Sequence, residues 1–434
     1  MREKKQNPLV VLIPLVILAV IILALPSVRA KINWRLADVR TRIAYALFPP
    51  EKEVFVPQKP LETAVQGTLA AWTPTPTTAV TATPFPEVTL VPTITPTPLP
   101  PVANLQGVTY VDQHFGWNMC APANLTMALK FWKWGGTRDE VASSLKPFAE
   151  DKNVMLYEMA NFARDTAGLG AAWRYGGTLD LVKRFIASGY PVVLETGTYA
   201  FRDTTTNKYS WMGHYTTVTG YDDSANNFIV QDSYVPNGAN LKVDAALLEQ
   251  EWRAFNFAFL VLYPTERQAE AMALLGDYTD ELTANQIAYQ RAQKEIYALK
   301  DADLLFAWYN RGTSLVSMQD YAGAADSYDE AFRLMAGLEE AKRPYRIAWY
   351  QTGPYFAYYY AGRYQDVIDL ATTTLEPLER AGKPYLEESY YWRAKAELML
   401  GQQDEAVADL KKSVEYHPNF QPALDELSRL GISP

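Results

Sequence analysis

One cysteine stands in this 434-residue chain, Cys120, in the run Gln113-His-Phe-Gly-Trp-Asn-Met-Cys120-Ala-Pro-Ala-Asn. A thiol attacks a carbonyl carbon only with help: a base to take its proton and a field that favours the thiolate. Pro122 lies two residues on, and proline is tolerated in a helix only in the first turn, so a helix is predicted to begin at the cysteine. Its amino terminus would supply part of the field. Leu125, Ala128, Leu129 and Trp132 then give that helix a buried stripe.

The base would be His214, in Gly213-His214-Tyr215, with Asp232 further on. The two segments are joined through the turn-rich run Gly220-Tyr-Asp-Asp-Ser-Ala-Asn-Asn227, which predicts an antiparallel hairpin. Asp223 lies midway between His214 and Asp232, so the two are expected opposite one another with side chains on one face. A carboxylate there binds one ring nitrogen and leaves the other for the thiol, the division of labour of a catalytic triad. Gln113 has the remaining task, donating its amide N–H to the oxyanion of a tetrahedral intermediate. Losing such a donor costs about 10²–10³ in rate.

Taken singly, each residue has a plain structural explanation. A lone buried cysteine is usually a small apolar residue, and one histidine on a strand or one glutamine signals little. Four types in the required order, two of them cross-strand partners, are far more specific.

Composition removes other classes. A net charge of −9 and pI ≈ 5.1 lack the basic face of a nucleic-acid binder. One cysteine excludes an internal disulfide framework and any multi-cysteine zinc site. Three histidines, at 114, 214 and 417, are too few for a histidine metal cluster. No metal or cofactor is implied.

Residues 8–25 form an uncharged apolar run behind Arg2, Lys4 and Lys5, just long enough to cross a hydrocarbon core. The run exceeds a usual signal core, and Arg29 lies beside the nearest cleavage-like site, Val28-Arg29-Ala30. A single-pass anchor is therefore expected, with a secreted product if the segment is cleaved. Ile32, Leu36, Val39, Ile43 and Leu47 follow at helical spacing with arginines opposite, fitting either a helix on the membrane surface or one packed on protein. Residues 73–101 then hold nine prolines and ten threonines, an extended spacer separating the membrane segment from everything that folds. Such stalks favour an extracytoplasmic setting, although Arg29, Lys31, Arg35, Arg40 and Arg42 on local charge counting favour the inside.

The expected divisions are 1–30 anchor or signal, 31–56 juxtamembrane amphipathic helix, 57–104 Pro/Thr-rich linker, 105–264 catalytic domain and 265–434 helical repeats. Within 105–264 the pattern predicts a strand near Gly107–Val111 and helices near Asp139–Ser144, Leu156–Thr166 and 244–253. It also predicts strands at 213–221, 227–233 and Phe257–Tyr263, with a helix end running into a buried strand over Gly189–Glu195. Helices first and antiparallel strands later make an α+β domain.

After 265 alanine, tyrosine and leucine recur at helical spacing. Trp308, Gly312, Leu315, Ala324, Tyr328 and Ala331 fit the tetratricopeptide pattern, as do Tyr390, Ala394, Ala406, Leu410 and Pro418. A weaker copy lies around Tyr355, Val367 and Ala371. The region resembles that repeat family, in which small residues let paired helices approach closely.

At Gln113, Cys120, Pro122, Ala123, Gly213-His214-Tyr215, Gly220-Tyr221-Asp222 and Asp232 the chain resembles the papain-like cysteine peptidases akin to the bacteriocin-processing, double-glycine leader peptidases. Gly189-Tyr-Pro-Val-Val and the closing Phe-Leu-Val-Leu-Tyr-Pro resemble them too. The resemblance implies a papain-like α+β cysteine peptidase domain with Cys120 as nucleophile, His214 as base and acid, Asp232 as its orienter and Gln113 as oxyanion donor. Peptide or protein substrates follow from it, and the repeats are expected to recruit substrate or a protein partner. Ala121 replaces the glycine that usually follows the family's cysteine, which puts room in the cleft in question. No fused ATP-driven exporter is present, so the leader substrate does not carry over. The alternatives are a papain-like peptide-docking module without turnover, and a transglutaminase-like acyl transferase with the same Cys, His, Asp order.

Overall fold

Seven antiparallel strands carry or flank the residues singled out above. In the computed structural model, which describes residues 26–58, 98–146, 148, 150–201, 208–382 and 384–434, they are β1 (Val102–Asn104), β2 (Gly170–Arg174), β3 (Val192–Thr198), β4 (Met212–Asp222), β5 (Asn227–Asp232), β6 (Leu241–Asp244) and β7 (Phe259–Tyr263). Their order is β2-β7-β3-β4-β5-β6, with β1 against the far end of β4.

The central strands are covered on both faces, and their residues alternate between two cores with the period of two that a strand imposes. Val193, Leu260 and Leu262 enter the core that holds helices α2 (Cys120–Phe131) and α4 (Leu156–Asp165). Val192, Leu194, Phe259 and Val261 enter the other, with α5 (Leu179–Ala187) and α6 (Ala245–Arg253). Helices α1 (Pro26–Leu47) and α3 (Arg138–Leu145) complete this half of the chain.

Most predicted elements fall within two residues of their observed limits. The strand expected at Gly107–Val111 is absent; the edge strand is Val102–Asn104, inside the stretch taken as linker 57–104. Gly107 turns into the left-handed region (φ 78°) and ends any extension there. The pairing depends on Gly220, where a side chain would lie 2.8 Å from the Ala103 carbonyl oxygen.

Beyond β7 the chain is helical: α7 (Gln268–Leu275), α8 (Glu281–Ala298), α9 (Asp301–Ser317), α10 (Tyr321–Gly337), α11 (Ile347–Tyr350), α12 (Gly353–Tyr360), α13 (Tyr364–Ala381), α14 (Glu387–Met399), α15 (Gln403–Tyr416) and α16 (Gln421–Arg429). The pairs α9/α10, α12/α13 and α14/α15 fall where the three repeat-like patterns were read. Gly312 shows why a small residue is needed, since a Cβ there would lie 2.7 Å from the Tyr328 ring.

The two halves share one core. Trp211, Ala254 and Phe255 of the sheet unit are in the same buried cluster as Leu305, Phe306, Tyr309 and Tyr328 of the helices. Trp211 stacks 5.8 Å from both Phe255 and Phe306. The buried Arg346 guanidinium donates to Ser210 Oγ at 2.7 Å and to the Trp211 carbonyl at 3.0 Å.

The amino-terminal segment corrects the stalk expectation. α1 packs Ala44 and Tyr45 against Leu375, Leu378 and Ala381 of α13, while Leu36, Val39, Ile43 and Leu47 stay exposed. Residues 49–58 then lie along the helices. Phe55 is buried edge-on to Phe332 at 5.0 Å, and the Gln58 amide donates to Asp366 Oδ1 at 2.7 Å. The chain returns at β1, so both ends of the Pro/Thr-rich segment are fixed to one body rather than separating it from the amino terminus. Residues 59–97 and the apolar run 8–25, with its expected transmembrane helix, lie outside the described residues. Among the described residues no helix is long and apolar enough to cross a membrane.

Candidate active site

α2 begins at Cys120 because the chain turns sharply just before it. Asn118 adopts a left-handed conformation (φ 49°), which asparagine tolerates well. The Ala123 amide then donates to the Met119 carbonyl at 2.9 Å. Pro122 occupies the first turn, as expected, and Leu125, Ala128 and Leu129 are buried. Cys120 itself is half-buried. Ala121 is 1% exposed and belongs to the core under the helix.

His214 and Asp232 meet, but not by the expected register. Thr216, not His214, is directly opposite Asp232, and His214 faces Thr196 of β3. Near the turn the pairing runs Asp222 with Asn227 and Gly220 with Ile229; past a bulge between Val218 and Gly220 it becomes Val218 with Val230. Without that extra residue Asp232 would face Thr217, and its side chain would project from the opposite face to His214. A one-residue slip flips every side chain, and the bulge makes that slip once. It therefore returns Asp232 to the face of His214, two residues along.

The resulting contact is His214 Nε2 to Asp232 Oδ1 at 3.1 Å, with the imidazole buried. Cys120 also acts on the ring, raising its pKa, and with Nε2 engaged by Asp232, Nδ1 is the nitrogen left free of that carboxylate. Burial alone would push the imidazole toward neutrality. The Asp232 charge and hydrogen bond, then the bond and charge of Cys120, outweigh it and raise the His214 pKa from 6.5 to about 10. Asp232 moves the opposite way: burial raises it, but His214 and the amides of Tyr234 (2.8 Å) and Val235 (3.3 Å) hold its carboxyl below the usual range. Gly238 lets the chain close behind it, since a side chain there would lie 1.9 Å from the Asp232 carbonyl oxygen.

Gln113 is held at the same strand end. Its backbone N–H donates to the Ser233 carbonyl at 3.0 Å, and its side-chain Oε1 accepts from the Ser233 hydroxyl at 2.8 Å. All four predicted residues thus gather around the start of α2 and the end of β5. Of the other histidines, His114 borders the site, against Asp112 at 2.9 Å and 5.3 Å from the Tyr234 ring, and His417 pairs with Glu387 at 3.0 Å.

Sequence reasoning missed the residues behind these four. Asn124, fully buried, donates to the carbonyls of Cys120 (2.9 Å) and Tyr215 (2.8 Å) and lies 3.2 Å from Ser233 Oγ. Its Oδ1 accepts from Thr217 at 2.7 Å. The Tyr110 hydroxyl donates to the Asp232 carbonyl at 2.9 Å. An asparagine one turn after the cysteine, within an apolar stripe, was the signal available. Phe201 adds an aromatic wall, edge-on to the His214 ring at 5.0 Å.

The class defined here is an α+β unit with a cysteine at a helix start and a strand-borne histidine paired with an aspartate. Residues 105–259 match the family described as Peptidase_C39 like family, a little over a third of the chain. Two solved structures are similar to this unit. One is a C39-like peptidase candidate from Bacillus anthracis, 16% identical, with a TM-score of 0.30, covering 37% of this chain and 96% of that one. The other is a double glycine motif protease from an AMS/PCAT transporter in complex with the leader peptide, 15% identical, with a TM-score of 0.26, covering 38% and 99%. No curated protein matches the chain.

Proposed function

We propose that the chain is a thiol peptidase. The observation that carries this reading is the buried His214–Asp232 pair, with Cys120 at the start of a helix acting on the same imidazole. An imidazole that keeps its proton through neutral pH is the partner a thiolate needs.

Cys120 Sγ attacks the scissile carbonyl, and the oxyanion is received by the Gln113 side-chain amide and the Cys120 backbone N–H. His214 gives its proton to the departing amine, leaving a thioester. It next takes a proton from water, which attacks the thioester and frees the acid, returning the sulfur as thiolate beside the protonated imidazole. Asp232 keeps Nε2 occupied so that Nδ1 faces the sulfur throughout.

The substrates are peptides or proteins, in line with the leader peptide held by one structural neighbour. Residues 8–25 would anchor the chain in a membrane, with the folded part extracytoplasmic. Tetratricopeptide-type hairpins in 265–434 would receive a protein partner on faces not taken by the sheet unit, where Tyr360 and Leu400 are exposed.

Incubating the purified chain with a mixed peptide library tests the reading. Cleavage is expected, and Cys120→Ala abolishes it. Peptides bound but never cut would identify a docking module instead, and transfer to an added amine without hydrolysis an acyl transferase.

A further inference from the structure

We propose that Asn124 and Ser233 fix which end of the Gln113 carboxamide faces the cleft. The proposal rests on the reading of Cys120 as nucleophile and Gln113 as oxyanion donor, and supplies what that reading lacks. A side-chain amide has a donor end and an acceptor end of nearly equal size, and only the donor end can stabilise an oxyanion.

The orientation follows from which atoms can only accept. The carbonyl oxygens of Cys120 and Tyr215 lie 2.9 and 2.8 Å from the Asn124 amide. Both are obligate acceptors, so the Asn124 NH₂ faces them and its oxygen faces the Thr217 hydroxyl. The same NH₂ lies 3.2 Å from Ser233 Oγ, and an amide nitrogen cannot accept, so it cannot take the Ser233 hydrogen. The Ser233 hydrogen is then directed to its other polar neighbour, the Gln113 side chain at 2.8 Å. A hydroxyl that donates meets an oxygen, so Gln113 Oε1 turns inward and its NH₂ turns away. Reversing Gln113 would leave the hydrogen of a fully buried Ser233 without an acceptor, a penalty that favours one orientation by about tenfold. Asn124 thus turns a non-accepting nitrogen to Ser233, and the Ser233 hydrogen runs to Gln113. Asn124 and Ser233 are positioning residues, since neither touches the reacting atoms.

A double-mutant cycle tests this. Ser233→Ala should lower kcat about tenfold and hold KM within about twofold. In a Gln113→Ala background it should lower kcat no further. Alkylation of Cys120 by iodoacetamide, which forms no oxyanion, should proceed at the wild-type rate in Ser233→Ala. Multiplying losses in the double variant, an unchanged kcat, or slowed alkylation would overturn the proposal. Neutron diffraction from the wild-type protein gives a readout independent of activity and of the variant's folding. The deuterons on Gln113 should lie on the side away from Ser233, and a nitrogen facing Ser233 would overturn the relay. A wild type that neither cleaves peptides nor alkylates rapidly would defeat the peptidase reading alone, leaving the deuteron positions to decide this one.

Discussion

The sheet unit and the helical region use buried polar groups in opposite ways. In the sheet unit they converge: Asn124, Ser233, Gln113, Asp232 and His214 gather around one residue, Cys120. In the helical region they tie one helix to the next. Arg363 bonds Asp329 and Asp366, each at 2.8 Å, and Arg393 bonds Asp409 at 2.5 Å. The first arrangement positions a reaction; the second builds a scaffold. Because Trp211 and Phe255 share a core with Phe306 and Tyr309, the scaffold is part of the sheet unit's own fold.

Deleting residues 265–434 puts the largest strain on this comparison. Each large apolar side chain stripped of its cover forfeits about 1.5–3 kcal/mol, and several together approach the 5–15 kcal/mol that holds a domain. Calorimetry should find no cooperative transition in 1–264; a truncated chain melting as sharply as the whole would separate the two regions. Phe306→Ala is milder, costing about 3–5 kcal/mol. Helical ellipticity and cleavage activity should be lost together on heating, and activity outlasting the helices would refute the shared core.

Asp232→Asn removes charge but not shape. Turnover should fall about 10²-fold with the fold retained; unchanged kinetics would mean that another group orients His214. Its pH signature follows from the shifts. His214 is raised from 6.5 to about 10, so its contribution to stability is full below about 6.5 and is lost as pH rises toward 10. Asp232 is lowered, so its contribution is present above about 4 and is lost as the medium becomes more acid. The melting temperature of the wild type relative to His214→Gln should therefore decline between about pH 7 and 10. The smallest effect expected is at the strap, where Glu53→Ala breaks a part-exposed pair with Arg380 at 3.1 Å and should cost under about 1 kcal/mol in chemical denaturation.

Much of the site was legible before any coordinates. The proline after Cys120 announced the helix start, and the turn at 220–227 announced the hairpin. The register was not legible, because a bulge is a local backbone event with no side-chain period to betray it. The parity between His214 and Asp232 survived only because turn and bulge each shift the pairing and together leave an even offset. Asn124 was passed over because its neighbours, Ala123 and Leu125, read as core. The path of residues 49–58 was hidden for a different reason: its partners, Phe332, Asp366 and Arg380, lie some three hundred residues away, and composition alone suggested a free stalk.

The central claim is that His214 activates the Cys120 sulfur. It is tested most directly by the rate of Cys120 alkylation in the wild type and in His214→Ala at one neutral pH. The wild type should react rapidly, and the variant about 10²-fold more slowly with the fold retained. Equal rates would contradict the account.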